Sequence, residues 1–539
     1  MEFAFDSHLP NYAGGLGVLA ADTMYSCAEM GVNAIGVTLL YHQHDDSRTT
    51  LDATPFMKKT PHTVTVQIED RQVAVSIWKM EIKGSGGHIV PVYFLSTYLP
   101  QNQRWDRDLT KYLYASDRYT RLGQETILGI GGIKALEKLG YENINCYHMN
   151  EGHSSLLTLE LLRKYNGDVE KVRQKCTFTT HTPVAAGHDY FEYEMAKNTL
   201  KEVLPANIET FAGKQQFGMT QLAMALSRKT NSVSQKHRQI CQRMFPGTPI
   251  ENVTNGIYHL RWTGIEMYNL FEKYLPGWKK NPQILKNAPE KIPDEALLTA
   301  RQKQKRKLID WINSPNVPFP FNIAEKDDYF TADTLTIGFA RRFVPYKRAD
   351  LIFHFLDQLR ETGYKKIQLI FATNRHPDDE YCKKVVDNIM LNARRMRGQI
   401  RIRVIPSYNL NIAQYLVSGC DVWLNNPLPP REASGTSGMK VALNGGINFS
   451  ILDGWWIEAL EQDPLSGWGF GGMEFPEEAN RDDYDAGEII STLKDIIDCY
   501  YNRQEEWQLR MKRSIALVHF FNTHRMTKEY KEKIWQKER

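Results

Sequence analysis

Ten short apolar runs, five in each half of the chain, end in polar or glycine residues and lead into helical patterns. In the first half they are Ala34–Tyr41, Ile144–Met149, Cys176–Thr180, Thr230–Ser234 and Ile250–Thr254. In the second they are Leu335–Ala340, Gln368–Ala372, Ile402–Ile405, Asp421–Leu424 and Gly446–Ile451. Strands alternating with helices imply parallel sheets covered on both faces, so the expected class is α/β. The period-3.6 set Leu351, Ile352, Phe355, Leu356 and Leu359 before Gly363 is a clear instance of such a helix. Two doubly wound domains facing each other would place strand ends, and so a ligand cleft, between them.

A chain of 539 residues exceeds the size at which one core keeps growing, which also calls for two domains. The expected division is 1–257 and 258–515, with a charged helical tail, 516–539, crossing back. Pro246-Gly247 and Asn255-Gly256 punctuate the seam, and a Pro-rich segment (Pro315, Pro318, Pro320) follows a charged helical stretch. Residues 60–97 break the pattern with three alternating runs, His62–Glu69, Gln72–Ile82 and His88–Leu95, read as an antiparallel excursion. The chain begins almost at the turn Gly14-Gly15-Leu16-Gly17. A strand normally feeds such a loop, so the first strand is expected to be missing or only partly supplied.

The net charge of +4 is spread along the chain, without a basic stripe interleaved with aromatics, so nucleic acid is not an expected partner. Seven scattered cysteines without a C-x-x-C pair read as reduced thiols in a cytoplasm, with no zinc site. No run of 18 apolar residues suggests a membrane.

The residues from Glu432 to Lys440 read Glu-Ala-Ser-Gly-Thr-Ser-Gly-Met-Lys. Glycine and hydroxyl residues at a helix start suit a phosphate, and a desolvated lysine beside it can form a Schiff base. The same letters also suit an ordinary loop and cap with a solvated lysine. A nucleotide P-loop is a weak alternative, because Lys440 follows Met439 and Val441 replaces the hydroxyl. Arg341, Arg342, Lys347 and Arg348 are either a phosphate clamp or a solvated face after a strand. His181 before Pro183 reads as a turn residue or a site residue, and Trp455-Trp456 as core or as a sugar-stacking floor.

Taken in order, Asn11–Asp22, His148–His153, Thr179–Pro183, Arg341–Arg348 and Glu432–Lys440 resemble the α-glucan phosphorylase family, in its short microbial branch. The resemblance implies Rossmann-like domains in a glycosyltransferase B-like arrangement. It also implies pyridoxal 5′-phosphate bound at Lys440, and reversible, retaining phosphorolysis of an α-1,4-glucan by inorganic phosphate to glucose 1-phosphate. By the same resemblance Gly435, Thr436 and Arg341 hold the cofactor phosphate, while Arg342 and Lys347 clamp the attacking phosphate and Gly15 donates its N–H. His181 and Gly14 lie near the reacting sugar, and Glu432 and Asn255 bind glucose hydroxyls. Homodimers are common in the family. Two departures stand out: Asn374 occupies a usual lysine position with Arg375 beside it, and Asn425–Arg431 differs from the usual Arg-Arg-Pro run. The nearest rival is a sugar-nucleotide-dependent glucan synthase of the same two-domain plan; a glucan-binding relative with a damaged site is a third reading.

Overall fold

The computed structural model describes residues 1–539 except 44–49, 315–316, 318–328, 375–378, 406, 477 and 537–539. Pro315, Pro318, Pro320 and Arg375 therefore lie outside the described residues. The chain forms two compact units, Met1–Thr254 with His524–Arg539, and Asn255–Thr523. The returning segment starts at His524 rather than 516. Helix Gln504–Leu517 stays with the second unit, where Ser514 Oγ donates to the Gly446 carbonyl and Ile515 is fully buried.

Strands of the first unit are β1 (Gly36–Leu39), β2 (Lys58–Ile68), β3 (Arg71–Lys83), β4 (Ile89–Ser96), β5 (Tyr147–Asn150), β6 (Cys176–Thr179), β7 (Tyr190–Phe191), β8 (Phe217–Gly218), β9 (Lys229–Ser232) and β10 (Ile250–Asn252). They form not one sheet but two of four strands, ordered β1-β4-β3-β2 and β10-β9-β6-β5, with β7 and β8 paired apart. The second four-stranded sheet is parallel throughout. In the first, β2–β3–β4 is the antiparallel excursion, and β4 runs parallel to β1.

β1 and β5 are end strands of their sheets, and the opening residues Met1–Leu9 form no strand of their own. Met1 nevertheless joins the core that holds Leu39 of β1 and Met149 of β5, while its carbonyl accepts from Thr38 Oγ1 at 2.9 Å. The C-terminal segment packs on the parallel sheet. The Tyr530 hydroxyl meets Asn231 Nδ2 at 3.1 Å, and Trp535 Nε1 donates to His148 Nδ1 at 2.8 Å.

The second unit carries β11 (Leu335–Ala340), β12 (Ile367–Ala372), β13 (Arg401–Ile405), β14 (Val422–Asn425), β15 (Ile447–Ile451) and β16 (Gly467–Phe470). All five pairings are parallel, in the order β13-β12-β11-β14-β15-β16. Numbered within the unit this is 3-2-1-4-5-6, the doubly wound order whose direction reverses between the first and fourth strands. β11 and β12 are buried at every position, which explains why their residues are apolar without alternation. Ligands of such sheets bind beyond the carboxyl ends at the reversal, which here means the loops leaving β11 and β14.

Candidate active site

Those two loops are Arg341–Arg348 and Asn426–Thr436, and Arg348 fastens them together. Its side chain donates to the carbonyls of Asn426 (3.0 Å) and Pro427 (3.1 Å), and it pairs with Asp482 and Asp485, each at 2.8 Å. Asn426 Nδ2 returns a bond to the Arg348 carbonyl at 2.7 Å, and Leu428 N–H donates to the Tyr346 carbonyl at 2.7 Å. Arg348 takes φ +49, a left-handed conformation that this closed network holds in place. The solvated-face reading of the basic run is thereby corrected: Lys347 and Arg348 are buried, and only Arg342 is exposed.

Glu432 sits where the loops converge. Its Oε2 accepts from Arg341 Nη2 at 2.8 Å and from Lys347 Nζ at 2.5 Å, and its own N–H donates to Asp453 Oδ2 at 3.0 Å. Burial pushes the Glu432 carboxyl up, but Arg341 and Lys347 outweigh it and hold the group at about 2. Lys347 is lowered to about 7, by burial first and by Arg341 second, with Glu432 pulling the other way. Within this cluster Arg341 Nε and Nη1 and Ser434 Oγ are buried without a hydrogen-bond partner among the described residues. Buried donors left unmatched are costly, and an acceptor-rich group would satisfy these.

Gly435 adopts φ +88, which a side-chain-bearing residue reaches only with strain. Lys440 lies on helix Ser437–Leu443, is 7% exposed, and holds its Nζ 3.8 Å from the ring centroid of Trp262. That helix is pinned by Trp423 Nε1 on Ser437 Oγ (3.1 Å) and by Asn444 Nδ2 on the Lys440 and Trp262 carbonyls (2.9 and 2.7 Å). The lysine is therefore a buried amine on an aromatic face, not a solvated loop residue. Thr436 is the residue just before the helix. Asn255 is buried in the second unit, beside the bridge between Ile257 and Asn522. Asn374 forms a bridge with Ser407. Trp455 and Trp456 are core: Trp456 Nε1 donates to the Trp468 carbonyl at 3.2 Å, and Trp455 packs edge-on against Phe521.

In the first unit, His181 follows β6. Its N–H donates to Glu151 Oε2 at 2.7 Å, and its Nε2 lies 2.6 Å from Asn150 Oδ1. Burial, with smaller contributions from His237 and His148, lowers it to about 3, so the ring is neutral at ordinary pH. Glu151, at φ +77, also accepts from Gly152 N–H (3.0 Å) and Thr182 Oγ1 (3.0 Å). Glu151 thus holds the His181 N–H and the Thr182 hydroxyl with one oxygen and the Gly152 N–H with the other. Gly14 and Gly15 open helix Gly15–Glu29, and a Cβ at either would meet nothing within 4 Å. Trp262, Asn150 and the counter-ion role of Glu432 carry no local signal in the sequence, because their partners are far away in the chain.

The family model described as "Carbohydrate phosphorylase" matches residues 184–471. A maltodextrin phosphorylase of Thermococcus litoralis is 33% identical over all of this chain and 70% of its own length. A glycogen phosphorylase of Aquifex aeolicus is 31% identical, covering 99% of this chain and 85% of its own length. The chain belongs to the carbohydrate phosphorylase family. An uncharacterized protein of Methanocaldococcus jannaschii is 29% identical and is covered over 98% of its length. Residues 10–256 also match the model described as "Starch synthase catalytic domain". Among the described residues no helix is long and apolar enough to cross a membrane.

Proposed function

We propose that the protein is an α-1,4-glucan phosphorylase that cleaves the non-reducing end of a glucan with inorganic phosphate, giving α-glucose 1-phosphate with retention. The observation that carries this reading is the cluster of Arg341, Lys347 and Glu432 at the sheet reversal, with two Arg341 donors lacking an acceptor. The residues fit pyridoxal 5′-phosphate: Lys440 offers a buried amine for the tether, and Gly435, Thr436 and Arg341 offer a place for its phosphate. When bound, the cofactor supplies a phosphate that exchanges a proton with the substrate phosphate.

The chain's own groups do the rest. Arg342 and Lys347 clamp the attacking phosphate, an arginine fork giving geometry and a lysine giving a movable charge. On the first unit Gly15 opens its helix with an N–H suited to phosphate, and Gly14 leaves space for substrate. His181, neutral and fixed by Asn150 and Glu151, acts as a hydrogen-bond partner of the sugar and not as an acid. Glu432 competes with a cofactor phosphate for Arg341 and with incoming phosphate for Lys347. The released carboxylate then joins Asn255 in binding sugar hydroxyls. Seven unpaired cysteines support a cytoplasmic setting.

A second reading, a sugar-nucleotide-dependent glucan synthase, draws on the match of residues 10–256. The deciding test is incubation with maltoheptaose and phosphate, with and without added pyridoxal phosphate. Wild type is expected to release glucose 1-phosphate and to retain a borohydride-trapped pyridoxyl group on the Lys440 peptide, and Lys440→Ala to do neither. Glucan extension from a sugar nucleotide without any phosphate-dependent release would support the synthase instead.

A further inference from the structure

Glu2 is 5% exposed and lies beneath the glycine turn. Its Oε2 accepts from two successive backbone donors, Ala13 N–H at 2.8 Å and Gly14 N–H at 3.2 Å. Its Oε1 accepts from the Tyr114 hydroxyl at 3.0 Å. The far end of the turn is held from the same segment: Ala4 N–H donates to the Gly17 carbonyl at 3.0 Å, and a Cβ on Gly17 would stand 2.8 Å from Glu2 Oε2. Glycine at position 17 is therefore what lets the carboxylate reach the turn.

Tyr114 adopts φ +56, a left-handed conformation that is unfavourable for an aromatic residue, and its hydroxyl reaches Glu2 from there. The Arg121 guanidinium carbon lies 4.8 Å from the Tyr114 ring centroid, and Arg121 is itself tied to Asp189 (2.8 Å) and Glu125 (2.9 Å). A buried carboxylate and a strained tyrosine both oppose folding, and neither is needed merely to close a surface turn. What they do is remove the freedom of a backbone rich in glycine, at Gly14, Gly15 and Gly17. Fixing the Ala13 and Gly14 N–H groups sets the direction of the next one, Gly15 N–H, which opens the helix and has no intrahelical acceptor.

We propose that Glu2, held by Tyr114, is a positioning residue for phosphate: it presets the Gly14–Gly17 turn so that Gly15 N–H meets the anion without further ordering. This rests on the assignment of Gly15 to phosphate made above. A turn ordered in advance saves the entropy that phosphate would otherwise have to offset on binding.

The test uses cofactor-loaded full chain and two readouts: separate Michaelis constants for phosphate and maltoheptaose, and deuterium uptake by the peptide spanning residues 11–18. Glu2→Ala is expected to raise the phosphate KM about tenfold, in line with loss of charge-assisted hydrogen bonds, while kcat and the glucan KM stay within about twofold. Uptake at the turn rises, and uptake in β4 does not. Glu2→Gln keeps an oxygen that accepts both N–H groups and is expected to cost less than about threefold; Tyr114→Phe falls between the two. Unchanged phosphate KM, or an equal rise of both Michaelis constants together with a lower melting temperature, overturns the proposal. Should Glu2→Ala fail to fold, Glu2→Gln and Tyr114→Phe carry the same comparison. If wild type releases no glucose 1-phosphate, the functional reading fails by itself, and turn uptake in the variants still decides whether Glu2 orders the turn.

Discussion

Replacing Glu432 by alanine removes the carboxylate that bridges Arg341 and Lys347, and the size of the effect follows from the geometry. The three side chains are 11%, 11% and 14% exposed, so solvent screens them little. Glu432 moves from an ordinary 4.5 to about 2 in the fold. At about 1.4 kcal/mol per unit this is worth about 3 kcal/mol, within the range for breaking one side of a buried ion pair. The sign is fixed: a carboxyl depressed by folding stabilises above its unfolded value and loses that contribution as pH falls from 4.5 toward 2. Glu432→Ala should therefore lower the melting temperature of the second unit by about 6–12 °C at pH 7. The deficit should be about 1 kcal/mol smaller at pH 4, where the carboxyl of the unfolded wild-type chain takes up protons and the folded one does not. Inorganic phosphate should restore part of the loss, about 2.7 kcal/mol at a hundred times its dissociation constant, because it replaces the missing anion. Scanning calorimetry and urea titration at both pH values measure this. A drop below 2 °C, or phosphate stabilising wild type as much as the variant, would refute the counter-ion argument.

Two further outcomes follow from the same cluster. Lys347, lowered to about 7, gives up its proton as pH rises through that value, so phosphate capture should weaken on the alkaline side. The kcat/KM profile for phosphate divided by that of Lys347→Ala cancels phosphate's own ionisation, and a flat ratio across pH 6 to 8.5 would contradict the assignment. Gly435→Ala forces a side chain into φ +88 and should cost about 1–2 kcal/mol. Because the added Cβ would come no nearer than 3.4 Å to Glu432, the cost is backbone strain rather than a clash. Denaturant unfolding together with cofactor retention on dialysis should both report it, and wild-type values for both would sink the reading.

The ten apolar runs all became strands, most within one or two residues of the expected ends, because strands buried on both faces need continuous apolar sequence. Three strands gave no such signal. β7 and β8 are two residues each, and β16, Gly467-Trp468-Gly469-Phe470, is half glycine. The amphipathic stretch at Leu351 split into a short turn, Leu351–Phe353, and helix Leu356–Gly363, since the first part completes the loop that Arg348 closes. At the site, the chemistry of Lys440 and of the basic run was legible as residue types. Which cations were ligands and which were fasteners was not. Arg341, Lys347 and Arg348 lie within eight residues of one another, yet two face Glu432 while the third ties two loops and pairs with Asp482 and Asp485.

The order of apolar runs and helices by itself determined the class of the chain, its parallel sheets and the antiparallel excursion, since those depend on periodicity within a few residues. Tertiary structure alone decided that Glu432 neutralises two cations 91 and 85 residues away, that Trp262 underlies Lys440, and that Glu2 braces the glycine turn. These pairings arise where separate strand ends converge, and burial there raises the worth of each contact; neither distance nor burial is written in local sequence.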